Sequence, residues 1–263
     1  MTSSKPGSAA SRPTRTRIRQ AFERAAQTYD GAADMQREIC HVLLDRLAAG
    51  GPVRRLLDAG SGTGYALPLL AERFPAAERL AIDLSLAMLA RTPCSCQRLV
   101  GDLERLPLAE ASLDLYWSSL AVQWCDLPQV LAEARRVLRP AGRLAITSLG
   151  PETFSELRQA FAGVDAYRHT LPFHTPEEVG QMARAAGFAD VVVSRRRQLA
   201  HYPDFRSLLK AVKAIGANQL GDGRRRNLMG RATFAAAEAG AEGQRTAAGL
   251  GLTYDVLILE ARA

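Results

Sequence analysis

The sequence predicts an α/β fold built on a mostly parallel sheet, and three observations carry this prediction. Short apolar runs of strand length alternate with stretches whose apolar residues recur every three to four positions, a pattern typical of βαβ units. The alternation fills residues 55–150, and a glycine-rich turn follows its first strand. The 263 residues suffice for one large domain, and no apolar run approaches the roughly 18 residues of a membrane-spanning helix.

The elements are predicted in order along the chain. The strands are RRLLDAG, RLAIDL, CQRLVGD, LDLYWSS and GRLAITSL, and the helices among them are YALPLLAERF, SLAMLAR and LPQVLAEARRVLRP. TPEEVGQMARAAGF is a later helix, with Thr175 as N-cap, Pro176 in its first turn and Gly187 beyond its end. Two more strands, DVVVSRRRQLAHY and LTYDVLILEAR, flank a largely helical insertion at residues 203–250. We therefore predict a single domain over residues 1–263.

The segment before the first strand divides into two predicted parts. Residues 1–17 are a basic tail without the apolar stretch of a signal peptide, and we expect them to be disordered. Residues 18–48 are expected to form a helical lid, because Phe22, Ala25, Ala26 and Tyr29 recur on one helical face. Tyr29 and Gln36 give the lid a polar side that would line a site. The alternative is a plain helix packed on the core.

The charge and the cysteines limit the classes of partner and of site. Five of the seven net positive charges lie in residues 1–22, which contain no acid, and residues 195–197 and 224–226 are further arginine clusters. Such clusters are either solvated faces or a docking surface for an acidic partner. Four cysteines fit reduced thiols in the cytoplasm. Cys94 and Cys96 form an isolated CxC pair, so we predict no metal site.

The segment LLDAGSGTGYALPLL predicts a ligand site. Its strand ends at Asp58, and Gly60, Gly62 and Gly64 form a tight turn before a helix. Open α/β sheets bind ligands at such turns, where glycine lets the backbone approach the ligand. The dinucleotide fingerprint GxGxxG would require glycine at the place of Tyr65, which argues against a pyrophosphate ligand.

Two acids extend this motif. Asp83 ends the second strand in AIDLS, and Asp102 follows the third strand in GDLERLP, although each alone could be an ordinary turn residue. Together with the turn they resemble the class I S-adenosylmethionine (SAM) methyltransferases. The resemblance implies a Rossmann-like fold with a seven-stranded, mostly parallel sheet, helices on both faces and an antiparallel last strand.

The resemblance also assigns the cofactor contacts. Asp83 would bind the ribose hydroxyls, Asp102 would bind the adenine amino group, and Leu103 would pack on the ring. The full set expected to bind SAM is Asp58, Gly60, Ser61, Gly62, Gly64, Asp83, Leu84, Asp102, Leu103, Tyr29 and Gln36.

The segment after the fourth strand, YWSSLAVQWC, argues against a nucleic-acid substrate. It lacks the Asn/Asp-Pro-Pro-aromatic motif of enzymes that methylate base amines. The sequence also offers no strand face with aromatic and basic residues on which bases could stack.

Several segments outside the glycine turn resemble one family, the malonyl-[acyl-carrier protein] O-methyltransferases of biotin synthesis. They are FERAAQTYDGAADMQ, SSLAVQWCDLPQVLAEARRVLRPAGRLAITSLGPETFSELRQAF, HTLPFHT, LLKAVKAIGAN and LTYDVLI. The similarity runs from about residue 18 to the C-terminus and is weaker over residues 223–250. Ser61 stands where the family often has cysteine, a small residue in either case.

This resemblance implies a reaction. The SAM methyl group would pass to the free carboxylate of malonyl carried on acidic acyl-carrier protein or on coenzyme A. The methyl ester would then prime chain elongation toward a pimeloyl methyl ester. A carboxylate with a pKa near 4 is already ionised at neutral pH, so we expect positioning of the reactants and no catalytic acid or base.

The acceptor contacts are less specific. A cation should hold the malonyl carboxylate, and Arg168, Lys210 and Lys213 are candidates with a solvated surface as the alternative. The residues expected to contact the acceptor are Tyr29, Gln123, Trp124, Arg168, His169, Lys210 and Lys213. Two other functions stay open: methylation of another small acid or a quinone precursor, and partner binding without catalysis.

Overall fold

The sheet of the computed structural model has seven strands in the order β3-β2-β1-β4-β5-β7-β6. The structure describes residues 12–47, 52–92, 96–214 and 229–263. Strands β1 to β5 are parallel, whereas β7 runs antiparallel to both β5 and β6. The predicted sheet with its antiparallel last strand is confirmed. The strands are β1 Arg55–Ala59, β2 Glu78–Asp83, β3 Gln97–Val100, β4 Leu113–Ser119, β5 Leu138–Leu149, β6 Ala189–Tyr202 and β7 Leu250–Arg262.

Helices connect and flank these strands in the described parts of the chain. They are α1 Arg15–Ala25, α2 Asp34–Arg46, α3 Ala66–Arg73, α4 Leu86–Leu89, α5 Leu127–Val137, α6 Ser155–Phe161, α7 Pro176–Ala185, α8 Phe205–Ala214 and α9 Arg231–Glu242. Short 3₁₀ turns occupy Asp30–Ala32 and Val122–Trp124. None of the described helices is long and apolar enough to cross a membrane.

Two apolar layers hold the helices on the sheet. Successive strand residues point to opposite faces, so Leu56 packs in one layer and Leu57 in the other, as do Trp117 and Tyr116. Helices α2, α6, α8 and α9 cover the first face, and α5 and α7 cover the second. Full burial of one such side chain contributes about 1.5–3 kcal/mol. Helices on both faces are thereby confirmed.

The ends of α7 follow from local sequence chemistry. The Thr175 hydroxyl accepts from the Glu178 N–H at 3.2 Å, and the Glu178 carboxylate accepts from the Thr175 N–H at 2.9 Å. This capping box satisfies two backbone donors that the helix leaves unpaired. Gly187 follows the helix with a φ of +89°, a conformation that favours glycine. Both ends lie where the sequence predicts them.

The N-terminal segment differs from its prediction at two points. Helix α1 begins at Arg15, inside the predicted tail, and it ends at Ala25, so Tyr29 lies in the following turn rather than on the helix face. The early start is anchored by Ile18, which is buried, and by Arg15, which forms ion pairs with Asp102 and Glu104. Residues 1–11 of the predicted tail lie outside the described residues.

The predicted helical insertion contains α8 and α9 before β7 begins at Leu250. The arginine cluster at residues 224–226 lies outside the described residues, as does Cys94 of the CxC pair.

Candidate functional site

A cavity of about 1000 Å³, counting its open mouth, lies at the carboxyl ends of β1, β2 and β4. This is the edge at which open α/β sheets bind ligands. Asp58 comes from β1, Asp83 from the end of β2, and Leu120 follows β4. The N-terminal segment closes the opposite side, and its contributions are Ile18, Phe22, Tyr29, Asp30, Ala33, Gln36, Arg37 and Cys40.

The glycine turn fits tightly between the strands. At Gly60, with a φ of +74°, an added Cβ would lie 2.2 Å from the Cβ of Ala121. At Gly64, with a φ of +84°, it would lie 2.7 Å from Thr92 Cγ2. Gly62 has no atom within 4 Å of such a Cβ and lines the cavity. Glycine is therefore required at 60 and 64 by packing, and at 62 it leaves room for a ligand.

Asp83 holds the turn in place. Its carboxylate accepts from the Gly62 N–H at 2.9 Å and from the Ser85 N–H at 2.8 Å. Burial raises the pKa of Asp83, and the backbone donors act in the opposite direction. A carboxylate can accept about four hydrogen bonds in all, so Asp83, which lines the cavity, keeps acceptor capacity for a ligand.

Three polar atoms around this cavity are buried without a hydrogen-bond partner: Asp58 Oδ2, Ser61 Oγ and Gln36 Oε1. Burial, reinforced by repulsion from Asp83, raises the pKa of Asp58 to about 7. Unpartnered buried polar atoms are uncommon in folded proteins and call for an explanation. All three residues line one cavity, so they fit a ligand that carries donors such as ammonium and hydroxyl groups. SAM carries both.

Asp102, the third acidic residue predicted to bind the cofactor, pairs instead with other residues of the chain. Leu103 is buried and lines the cavity, as does Leu84, but Asp102 does not. The Asp102 carboxylate pairs with Arg15 of α1 and accepts from the Glu104 N–H at 3.0 Å. A contact of Asp102 with an adenine amino group stays a prediction.

The N-terminal segment, the predicted lid, is joined to the cavity walls by an aromatic cluster and a hydrogen bond. Phe22 meets Trp124 edge-on at 5.9 Å between ring centroids and meets Tyr29 at 6.3 Å. The Thr63 hydroxyl of the glycine turn donates to Asp30 at 2.6 Å. Burial and the nearby Asp83 raise the pKa of Tyr29, which keeps its hydroxyl protonated.

The structure places the predicted acceptor residues in different environments. Tyr29 and Trp124 line the cavity, whereas Gln123 does not, and its Nε2 donates to the Leu120 carbonyl at 2.6 Å. His169 stacks on Phe161 at 3.7 Å between centroids. Arg168, His169, Lys210 and Lys213 are absent from the cavity lining, and both lysines are exposed on α8.

Arg37, which was not among the predicted site residues, is the cation in the described lining of the cavity. Arg37 follows Gln36 in the first turn of α2. Its position in the predicted lid, directly after a predicted contact, was the available signal. The described lining of the cavity contains no lysine or histidine.

Comparison with known proteins identifies the family. Residues 57–146 match the family model of a methyltransferase domain. Over 262 residues, the full length of both proteins, the chain is 59% identical to malonyl-[acyl-carrier protein] O-methyltransferase of Dechloromonas aromatica (strain RCB). The chain belongs to the malonyl-[acyl-carrier protein] O-methyltransferase family.

Two other proteins, one compared by sequence and one by structure, are also similar to this chain. The biotin biosynthesis bifunctional protein BioHC of Cellvibrio japonicus (strain Ueda107) is 37% identical over 92% of this O-methyltransferase chain and 49% of its own length. Phosphoethanolamine N-methyltransferase 2 of Haemonchus contortus, solved with phosphomonomethylethanolamine and S-adenosylhomocysteine, has a TM-score of 0.59 at 19% identity. That alignment covers 93% of this chain and 59% of the other, and it confirms the Rossmann-like methyltransferase fold.

Proposed function

We propose that the chain transfers the methyl group of SAM to the free carboxylate of malonyl on acyl-carrier protein, which gives a methyl ester for biotin synthesis. The observation that carries this proposal is the 59% identity, over full length, with a relative named for that reaction. The cavity supports it independently, because its unpartnered polar atoms fit the cofactor.

The cofactor would lie between the glycine turn and the lid. Asp83 would accept from the ribose hydroxyls, and Asp58 and Gln36 would accept from the ammonium group through their unpartnered oxygens. Leu84 and Leu103 would contact the base. When bound, SAM supplies a methyl group activated by the positive charge on sulfur.

The chain's own contribution is positioning and exclusion of water. The acceptor carboxylate is ionised at neutral pH because its pKa is near 4, so the transfer requires no base to activate it. Phe22 and Tyr29 of the lid form an apolar wall of the cavity together with Trp124, which Phe22 contacts. A dry site of this kind strengthens the attraction between an anionic acceptor and a cationic methyl donor.

A mass-spectrometric assay with SAM and malonyl-acyl-carrier protein tests the proposal. We expect the malonyl group to gain one methyl and the Gly60→Ala variant, whose Cβ would strike Ala121, to show no transfer. A panel of other carboxylic acids and quinone precursors tests the alternative substrates. SAM binding without methylation of the malonyl group would reject this acceptor and keep the methyltransferase.

We further propose that α1 docks the carrier protein. Arg15, Arg17, Arg19 and Arg24 oppose only Glu23 on this helix. Arg17 and Arg24 are exposed, while Ile18 and Phe22 of the same helix line the cavity. A cationic helix that covers the cavity would attract an acidic carrier protein, whose attached malonyl group must enter the cavity.

The other predicted docking clusters fit this role less well. Arg195 pairs with Asp255 and Glu152, and Arg197 donates to Thr253 at 3.1 Å, so both side chains have partners within the chain. The cluster at residues 224–226 lies outside the described residues.

The docking proposal predicts a carrier-specific effect. The double variant Arg17→Glu/Arg24→Glu should raise KM for malonyl-acyl-carrier protein about tenfold and leave KM for malonyl-CoA within twofold, since steering by charge needs the acidic carrier. Arg196→Glu, at an exposed position on the distant strand β6, is the control. Equal effects on both substrates would contradict docking on α1.

A further inference from the structure

The charged side chains of the cavity are unbalanced. Asp30, Asp58 and Asp83 contribute three carboxylates to its described lining, and Arg37 contributes the one cation. Both ligands of the proposed reaction carry a carboxylate, one in the methionine part of the cofactor and one in the acceptor. An anion entering a cavity lined by acids needs a cationic partner.

Contacts hold the Arg37 side chain in place but do not use all of its N–H donors. Its Nη2 donates to the Asp30 carbonyl, and its guanidinium lies 5.6 Å from the centroid of the Tyr65 ring. The Tyr65 hydroxyl is itself bonded to His41 Nε2 at 2.9 Å. Backbone and aromatic contacts therefore fix the direction of a side chain that would otherwise be mobile.

The remaining partner of Arg37 is easily exchanged. Nη1 lies 3.2 Å from Asp34 Oδ1, and the Asp34 side chain is 85% exposed. Water and salt compete for such a pair, so it contributes little. A guanidinium has five N–H donors and can bind a carboxylate through two of them at once.

We propose that Arg37 is the carboxylate-binding residue of the cavity, a role that rests on the proposed function. The buried Gln36 Oε1, which has no partner, lies on the adjacent residue and also lines the cavity. The pair thus offers a cation for a carboxylate beside an acceptor for an ammonium, which suits an amino-acid group. The same cation would also suit a malonyl carboxylate.

Calorimetry with two nucleosides distinguishes the sources. S-adenosylhomocysteine has the amino-acid group, and 5′-methylthioadenosine lacks it. If Arg37 binds the cofactor carboxylate, Arg37→Gln should weaken S-adenosylhomocysteine binding at least tenfold and leave methylthioadenosine binding within twofold. If it binds the acceptor, affinity for S-adenosylhomocysteine should hold while KM for the malonyl thioester rises at least tenfold. Either pattern supports the proposal.

Matched variants guard against a folding defect. Arg46→Gln makes the same change at an exposed position of the same helix and should leave all three measurements unchanged. Arg37→Lys retains the charge without the bidentate geometry and should restore part of the lost binding.

Equal weakening of the binding of both nucleosides would assign Arg37 to the structure of the lid and overturn the proposal. No change in any measurement, including the malonyl KM, would overturn it as well. Calorimetry with the two nucleosides needs no methyl acceptor. It can therefore support a role of Arg37 in cofactor binding even if the chain does not methylate malonyl.

Discussion

At Asp58, ligand binding and folding favour opposite protonation states. A ligand ammonium group binds best to the ionised carboxylate, whereas burial favours the neutral acid. Asp58 is 2% exposed, and its Oδ2 has no hydrogen-bond partner. Its folded-state pKa is raised to about 7 from 3.8. The neutral form is therefore favoured in the folded protein, and this contribution to stability is fully present below the unfolded pKa and lost as the pH rises through about 7.

Asp58→Asn should flatten this part of the pH dependence, because the amide does not titrate. Each pKa unit corresponds to about 1.4 kcal/mol, and about two units lie between pH 5 and the folded pKa, so the wild type should lose roughly 2.6 kcal/mol more than the variant between pH 5 and pH 8. Urea unfolding at the two pH values measures the difference. Asp45→Asn, at an exposed position of α2, is the control. Parallel pH slopes for Asp58→Asn and the wild type would contradict the raised pKa.

The residues that sequence reasoning found and missed differ in how their positions are determined. Gly60 and Asp83 belong to a local motif whose geometry is set by a strand and the turn after it, so a short stretch of sequence predicts them. Arg37 enters the cavity because the start of α2 packs beside the strand ends and lines the cavity with them, and Arg168 stays off the lining although it is also basic. Such placements depend on tertiary packing, and residue type alone does not predict them.

At the scale of elements, side-chain contacts join the N-terminal segment, the predicted lid, to both sides of the cavity. Arg15 of α1 pairs with Asp102 and with Glu104, whose side chain is only 6% exposed. On the other side Asp30 accepts from Thr63 of the glycine turn. Each of these contacts would increase the affinity for a cofactor bound beneath α1, because closure excludes water from the site.

Arg15→Gln should loosen α1 and weaken S-adenosylhomocysteine binding about fivefold, which corresponds to roughly 1 kcal/mol for a partly exposed pair. Hydrogen exchange should rise in α1 and stay unchanged in the sheet. The control is Arg19→Gln, because Arg19 and Glu23 form an exposed pair at 3.8 Å on the same helix. If Arg15→Gln and Arg19→Gln behave alike, the pairing of α1 with Asp102 and Glu104 does not hold the lid.

The limits of α1 show where helical periodicity fails as a guide. The spacing of Phe22, Ala25, Ala26 and Tyr29 predicts one face, yet the helix stops at Ala25 and the chain turns before Asp30. Tyr29 still reaches the cavity, but through a turn that brings its ring against Phe22. Helix α6, which no prediction included, follows Phe154, whose φ is +59°. Turns of this kind are fixed by contacts distant in sequence.

At the scale of the whole molecule, the number of strands and the direction of the last one were predictable from the sequence. The side-chain contacts that join the strands were not. Alternating apolar runs and the family resemblance together predict seven strands with the last one antiparallel. The pattern does not reveal that the Asp255 carboxylate, on β7 between β5 and β6, is buried with 1% exposure. Its carboxylate is held by Arg195 at 2.5 and 2.9 Å and by the Glu152 N–H at 3.0 Å. Arg195, a predicted docking residue, thus joins β6 to β7.

Removal of Arg195 should therefore destabilise the fold rather than slow the reaction. Loss of one partner from a buried ion pair costs about 3–5 kcal/mol, and because Arg195 is 43% exposed, water can reach the vacated place, which lowers the expected cost to roughly 2 kcal/mol. Arg195→Met should lower the midpoint of urea unfolding accordingly, whereas Arg196→Met, one residue along the same strand and exposed, should change it little. KM for malonyl-acyl-carrier protein should be the same in both variants. A carrier-specific rise in KM for Arg195→Met, with unchanged stability, would instead favour docking at residues 195–197 over docking on α1.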